Sequence, residues 1–225
     1  MTKDMRTLLH SAAFLVCLVA VSAHAQWQQG DIAILRSDER SLVFEYRPRF
    51  LPARTLHDGT TELKLYDFLG SIPSYGREII GAPDLRYEAI PIGFQSEAGN
   101  AVQIIASDYE DISGVTLAPV PIMRQDGDMP GMSVYKVNPE KYRVSVFAPA
   151  QPVDLPAPNL IRTVVVGALK LYPIQYNPAS RTVRKYSRMV VEIVFGPSNR
   201  PRVQNDDDRL FDGILLNHSV ARNWK

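Results

Sequence analysis

Residues 158–196, PNLIRTVVVGALKLYPIQYNPASRTVRKYSRMVVEIVFG, constrain the fold of this chain more than any other stretch. Two long apolar runs with strand-forming composition flank the turn residues Asn177, Pro178, Ala179 and Ser180. Val164, Val166 and Ala168 alternate with Val165, Gly167 and Leu169 in a patch that is apolar on both faces. Thr182, Arg184, Tyr186 and Arg188 alternate less regularly before Val190 to Phe195 turns apolar again. Asn177-Pro178 ends the first run, because proline offers no ladder donor and fixes its own φ. The stretch predicts a hairpin whose arms are Ile161–Tyr172 and Thr182–Phe195.

The same texture extends upstream. Between Gln26 and Phe195, Pro and Gly interrupt the chain every few residues, and apolar positions recur with period two more often than 3.6. Further candidate strands are Ile32–Leu35, Ser41–Tyr46, Thr61–Phe68, Arg86–Ile92, Val102–Tyr109, Val115–Pro119, Ser133–Val137 and Tyr142–Phe147. In the last of these, Tyr142, Val144 and Val146 alternate with Arg143, Ser145 and Phe147, as a half-buried strand would. The expected fold is all-β, an antiparallel β-sandwich with a short C-terminal helical segment. That segment is Asp207 to Trp224, where Leu210, Phe211, Ile214, Leu215 and Val220 have amphipathic spacing if Gly213 is tolerated.

Three regions are expected. Residues 1–25 read as a signal peptide: Lys3 and Arg6 precede an apolar run from Ala12 to Val21, and Ala23 and Ala25 supply small residues before Gln26. The run is too short to span a bilayer, so no permanent membrane anchor is expected. Residues 26–196 form the sandwich, and residues 197–225 a linker and short helix. Removing Lys3, Arg6 and Asp4 from 25 basic and 24 acidic residues leaves 23 of each, which offers no electrostatic footprint for nucleic acid. The one cysteine, Cys17, leaves with the leader, so export brings no disulfide framework.

Most catalytic chemistry is excluded by the same count. A thiolate nucleophile is absent from the mature chain. Its only histidines, His57 in an Asp-Gly turn and His218 near the terminus, are accompanied by no Gly-x-Ser-x-Gly elbow. The acidic groups Asp108, Glu110, Asp111 and Asp206 to Asp208 lack the spacing of an EF-hand or zinc site and read as solvated charge, as do their surroundings. Neither a P-loop nor Gly-x-Gly-x-x-Gly occurs, so no cofactor and no metal are expected. Tyr172, Tyr176 and Tyr186 read as packing residues of the sheet rather than a ligand platform.

One long loop remains, Ala118 to Gly131, stiffened by Pro119, Pro121 and Pro130 and carrying a single basic side chain, Arg124. From spacing alone Arg124 is a solvated turn residue beside Asp126 and Asp128. Four motifs in chain order give it another meaning: Gly81-Ala82-Pro83-Asp84-Leu85 with Ala89-Ile90-Pro91; Leu117-Ala118-Pro119 with Ile122-Met123-Arg124; Pro173 with Gln175-Tyr176-Asn177-Pro178, Thr182 and Arg184; and Leu210, Phe211, Leu216, Asn217 with Ala221 to Trp224. Together they resemble the propeptide that precedes the catalytic domain of gingipain-type cysteine peptidases, with related regions in the sortase-like component of type IX secretion. Arg86 departs from that pattern, which favours proline there, and residues 26–74 add little to it.

The resemblance implies a secreted domain that folds with a gingipain-type cysteine peptidase catalytic domain, in cis or in trans, and keeps it latent without being an enzyme itself. It implies that Arg124, with Met123 beside it, occupies the peptidase cleft as a substrate-like plug. Arginine suits that role, since its planar fork can grip a pocket carboxylate with two hydrogen bonds. The implied location is outside the cytoplasm: periplasm, outer membrane surface or extracellular space. The alternative from another class is a periplasmic or cell-surface β-sandwich that binds or assembles with no peptidase partner.

Overall fold

The computed structural model describes residues 31–123, 133–198 and 210–224. The first half contributes β1 (Ile32–Ser37), β2 (Ser41–Tyr46), β3 (Arg54–Asp58), β4 (Thr61–Leu65), β5 (Glu88–Phe94) and β6 (Ala101–Ile112). The second half contributes β7 (Ile122–Met123), β8 (Ser133–Val134), β9 (Val153–Asp154), β10 (Asn159–Ile161), β11 (Val164–Leu171), β12 (Ile174–Asn177), β13 (Thr182–Val194) and the single turn of helix α1 (His218–Ala221).

These strands form two antiparallel sheets packed face to face, as expected, with two small hairpins, β3–β4 and β7–β8, beside them. In the first sheet β13 is central: β6 runs along one edge, and β2 and β12 share the other, with β1 outside β2. In the second sheet β11 lies between β5 on one side and the short β9 and β10 on the other. Residues two apart on a strand share a face. Leu42, Phe44 and Tyr46 of β2 and Met189, Val191 and Ile193 of β13 therefore meet Ile90, Ile92 and Phe94 of β5 and Val165, Leu169 and Leu171 of β11 in one core. Each such side chain contributes about 1.5–3 kcal/mol by leaving water.

The outer face of the first sheet is laced with charge: Arg36 donates to Glu192 at 2.7 Å, and Glu45 lies 2.6 Å from both Arg47 and Arg188. Exposed pairs of this kind contribute little stability, but they keep the face wet and the sandwich oriented.

The apolar stretch at 158–196 does not form one hairpin. The chain changes sheets at Tyr172-Pro173: β11 pairs with β5 in the second sheet, and only the four-residue β12 pairs with β13 in the first. Pro173 has no N–H to extend β11, and its carbonyl instead accepts from Tyr186 N–H at 2.9 Å. β11 is apolar on both faces because Val165, Leu169 and Leu171 enter the core between the sheets while Val164 and Val166 lie against Phe211, Leu215 and Ala221 on the other side. Tyr176 and Tyr186 are buried, which agrees with a packing role.

Two strand expectations are corrected, and one strand is new. Residues 142–147 are turn and irregular chain, with Val144 and Val146 exposed; successive turns at Pro139 and Glu140, closed by Tyr142 and Arg143 N–H groups, curl the backbone. Residues 115–119 make isolated bridges rather than a named strand, because Pro119 and Pro121 remove alternate donors. β3, whose sequence RTLHD is polar, was invisible to periodicity and forms because β4 templates it.

The expected amphipathic helix shrinks to α1. Gly213 sits at φ 74°, a left-handed conformation that ends any helix, and the chain around it runs in turns. From residue 210 onward this segment returns to the sandwich as a strap over the free edge of β5. Leu216 N–H donates to Pro91 O at 3.0 Å. Asn217, fully buried, accepts from Gly93 N–H at 2.9 Å and donates through Nδ2 to Gly93 O at 2.9 Å, so one amide side chain stands in for a neighbouring strand. Phe211, Leu215 and Ala221 cover Val164, and Trp224 packs edge-on against Phe195 at 4.9 Å. Only glycine fits at 93: a Cβ there would lie 2.5 Å from that of Ala221.

Replacing Asn217 by Ala should lower the unfolding free energy in urea by about 1–3 kcal/mol, the cost of stranding a buried donor and acceptor on Gly93. A change below about 0.5 kcal/mol would mean that water replaces the amide and that the strap is not what seals β5.

Candidate functional site

The loop singled out in the sequence begins on a braced ribbon. Lys64 N–H of β4 donates to Thr116 O at 2.8 Å, and Ala118 N–H returns a bond to Lys64 O at 2.8 Å. On the opposite side Asp84 N–H reaches Ala118 O at 2.9 Å, and Val120 N–H reaches Ala82 O at 2.7 Å. Two phenols, one half-buried and one buried, pin the same ribbon: Tyr142 donates to Leu117 O at 2.6 Å and Tyr176 to Val115 O at 2.9 Å. Leu117 and Ala118 are buried, Ala118 among Leu63 and Leu65. Prolines at 119 and 121 cost little here, since neither nitrogen is asked for a bond.

Beyond the ribbon β7 pairs with β8, Ile122 opposite Val134 and Met123 opposite Ser133. The return strand is anchored too, with Val137 N–H donating to Asp58 Oδ2 at 2.9 Å and Asn138 N–H to Gly81 O at 3.0 Å. Of the two expected site residues, Met123 is thus at the last rung of this ladder, and Arg124 lies outside the described residues. A fixed exit and a fixed return reduce the entropy that a loop loses on binding.

Beside β7 lies a cleft of about 650 Å³, lined by residues 73–77, by Ile80, Asp84 and Arg86, and by residues of both loop stems. Its floor is an ionic network that sequence reasoning missed. Arg86 bridges Asp84, at 3.1 Å, and Asp67, at 2.9 Å. Asp84 is only 3% exposed, and burial pushes its carboxyl up despite the Arg86 guanidinium and the Ser74 N–H that oppose the shift. Burial also opposes ionisation of Asp67, but hydrogen bonds from Ser71 and Phe68 N–H and the charge of Arg86 hold its carboxyl below the usual range. Arg86 had been legible only as a departure from a proline pattern; its partners are 2 and 19 residues away.

No enzyme site assembles from the residues considered in the sequence. His57 is on β3 opposite Glu62, whereas His218 is on the strap, 3.0 Å from Asp212. Among the described residues no group of three or more His, Cys, Asp or Glu could hold a metal ion, and no helix is long and apolar enough to cross a membrane. Asp206 to Asp208 and the leader lie outside the described residues.

Arg86→Leu should cost about 3–5 kcal/mol at pH 7, because it leaves the Asp84 charge buried and unpaired. A carboxyl raised in the folded state stabilises the fold as it takes up its proton, so this loss should shrink as the pH falls from 7 to 5. Urea unfolding of both chains at the two pH values tests it; a loss that is equal or larger at pH 5 would show that Asp84 is not the stranded charge.

Comparison with known proteins fits this architecture. The profile of the Propeptide_C25 family matches residues 23–215. Gingipain R2 of Porphyromonas gingivalis is 25% identical over 150 residues, which cover 63% of this chain and 20% of that protein. Gingipain R1 of the same organism is 23% identical over 137 residues, covering 59% of this chain and 14% of that protein. The chain therefore spans about a fifth or less of the curated relatives it matches. Among solved structures, "Complex of Porphyromonas gingivalis RgpB pro- and mature domains" superposes with a TM-score of 0.69 at 18% identity, covering 87% of this chain and 99% of that one. "Structural insight into zymogenic latency of gingipain K from Porphyromonas gingivalis" gives a TM-score of 0.57 at 14% identity, covering 73% and 92%. A two-sheet sandwich that offers a braced loop and no catalytic constellation among its described residues, matched by that profile over most of its length, belongs to the Propeptide_C25 family.

Proposed function

We propose that this chain is the propeptide of a gingipain-type cysteine peptidase, folding against the catalytic domain and holding it inactive. The observation that carries the reading is the family match over residues 23–215, together with a sandwich that superposes on nearly the whole of a pro-domain solved with its mature enzyme. The chemistry of inhibition is occupation. Residues 124–132 leave β7 and return to β8 from stems that are hydrogen-bonded on both sides, and Arg124 is the first residue past the ladder. In this reading Arg124 enters the peptidase's specificity pocket, where a carboxylate holds its guanidinium, and Met123 packs at the pocket's mouth. The propeptide contributes binding alone, since its mature sequence carries no cysteine nucleophile.

The remaining parts follow the same reading. Residues 1–25 direct export and are removed, residues 26–196 form the inhibitory sandwich, and residues 197–225 lead toward a catalytic domain, supplied in cis or in trans. The location is then the periplasm, the outer membrane surface or the extracellular space, with type IX secretion as the route.

Inhibition of the gingipain R2 catalytic domain by purified residues 26–225 tests the proposal. Stoichiometric inhibition with a Ki in the nanomolar range, about −12 kcal/mol, is expected. Arg124→Ala should weaken it by about a hundredfold without shifting the urea midpoint, the scale of loss seen when a central arginine anchor is truncated. No inhibition by the native chain at micromolar concentration would overturn the reading; inhibition unchanged in Arg124→Ala would remove the plug from it.

A further inference from the structure

Residues 73–80 form a flap that belongs to neither sheet. It starts after the bridge between Ile72 and Tyr87 and ends at Gly81, whose N–H donates to Val120 O at 3.0 Å. Its 3-10 turn, Arg77–Ile79, buries no residue. A cleft flanks it on each side, the one of about 650 Å³ beside β7 and another of about 420 Å³ lined by Pro83, Leu85, Val144, Pro149, Tyr172 and Tyr176. Two latches hold it. Ser74 donates through N–H to Asp84 Oδ1 at 3.2 Å and through Oγ to Leu85 O at 2.9 Å, and Lys141 Nζ donates to the carbonyls of Glu78 and Ile80. Few packed neighbours and a handful of polar latches describe an element with low local stability.

At its tip Tyr75 is 74% exposed, a large apolar surface with nothing over it. Arg77 next to it makes no ion pair among the described residues. Tyr75, Arg77 and Ile122 line the same cleft, and Ile122 is the residue before Met123 on β7. The strand that ends at Met123 is thus one wall of that cleft, so a partner that docks at Met123 has the cleft beside it.

We infer that the flap is a second docking element for the peptidase: Tyr75 and the apolar cleft wall at Ile122 and Pro121 meet an apolar shelf bordering the specificity pocket, and Arg77 pairs with a carboxylate on that rim. The inference rests on the propeptide reading. Exposed tyrosine and arginine are the residues that most often anchor interfaces, and the loosely held flap can adjust to the partner before locking. The plug then selects the pocket while the flap sets how long the complex lasts, mainly through dissociation.

The test measures Ki and dissociation rate for residues 26–225 against the gingipain R2 catalytic domain with Tyr75→Ala, Tyr75→Phe and Leu35→Ala, the last an equally apolar exposed site on β1. Tyr75→Ala should weaken inhibition at least about tenfold, chiefly by faster dissociation, with Tyr75→Phe and Leu35→Ala close to native. If Tyr75→Ala inhibits like the native chain while Arg124→Ala does not, the flap is not a contact and the plug stands. Equal weakening by Leu35→Ala, or a lowered urea midpoint for Tyr75→Ala, would also overturn the assignment. Absence of inhibition by the native chain overturns both readings together.

Discussion

Everything in this domain depends on the obligation of β13 to satisfy its backbone on both edges. It meets β6 along one side from Val183 to Val194, and on the other it meets β12 with its first four residues and β2 with its last six. A thirteen-residue strand paired along nearly all of both edges fixes where the other strands of its sheet lie. Its two register shifts, after Tyr186 and after Val190, increase the local twist that lets the sheet wrap the core. The same strand ties the ends of the molecule together. Its upper half faces β5 and β11 through Met189, Val191 and Ile193, and its lower half, through Val183, belongs to a second cluster with Val115, Leu117 and Tyr176 beneath the loop stems. The loop is held by the same strand that organises the sandwich.

What could be read from the sequence was local. Ser41–Tyr46 appears in the structure with the bounds its alternation predicts, since one apolar face in six residues suffices to define it. Thr182–Phe195 is nearly as close, differing by its last residue. The hairpin failed because the sequence shows two apolar runs and a turn but not which sheet each run enters; one proline at 173 decides that. Residues 142–147 alternate as well as any strand, yet no neighbour offers them a ladder, and alternation without a partner is only a pattern.

The site divides in the same way. The prolines and the lone arginine marked the loop, and the resemblance gave Arg124 and Met123 their expected role. Nothing local announced that two tyrosines at 142 and 176 would clamp carbonyls of the stem, or that Asp67, Asp84 and Arg86 would meet beneath the neighbouring cleft. These contacts link residues up to 61 positions apart, and each polar group involved is ordinary until it is buried. The strap is an extreme case. Asn217 looked like one polar residue among several in a weakly helical stretch, and its function becomes visible only opposite Gly93.

That pairing has a kinetic consequence. Gly93 and Asn217 are 124 positions apart, so the outer margin of β5 stays bare until Asn217 has emerged and closed that long loop. During this interval β5 is open to another chain or to a holdase, and its Pro91, which lacks a donor, shortens the invitation. Order of assembly is therefore written into residues 210–224: the domain guards the outer margin of β5 with a segment made long after it.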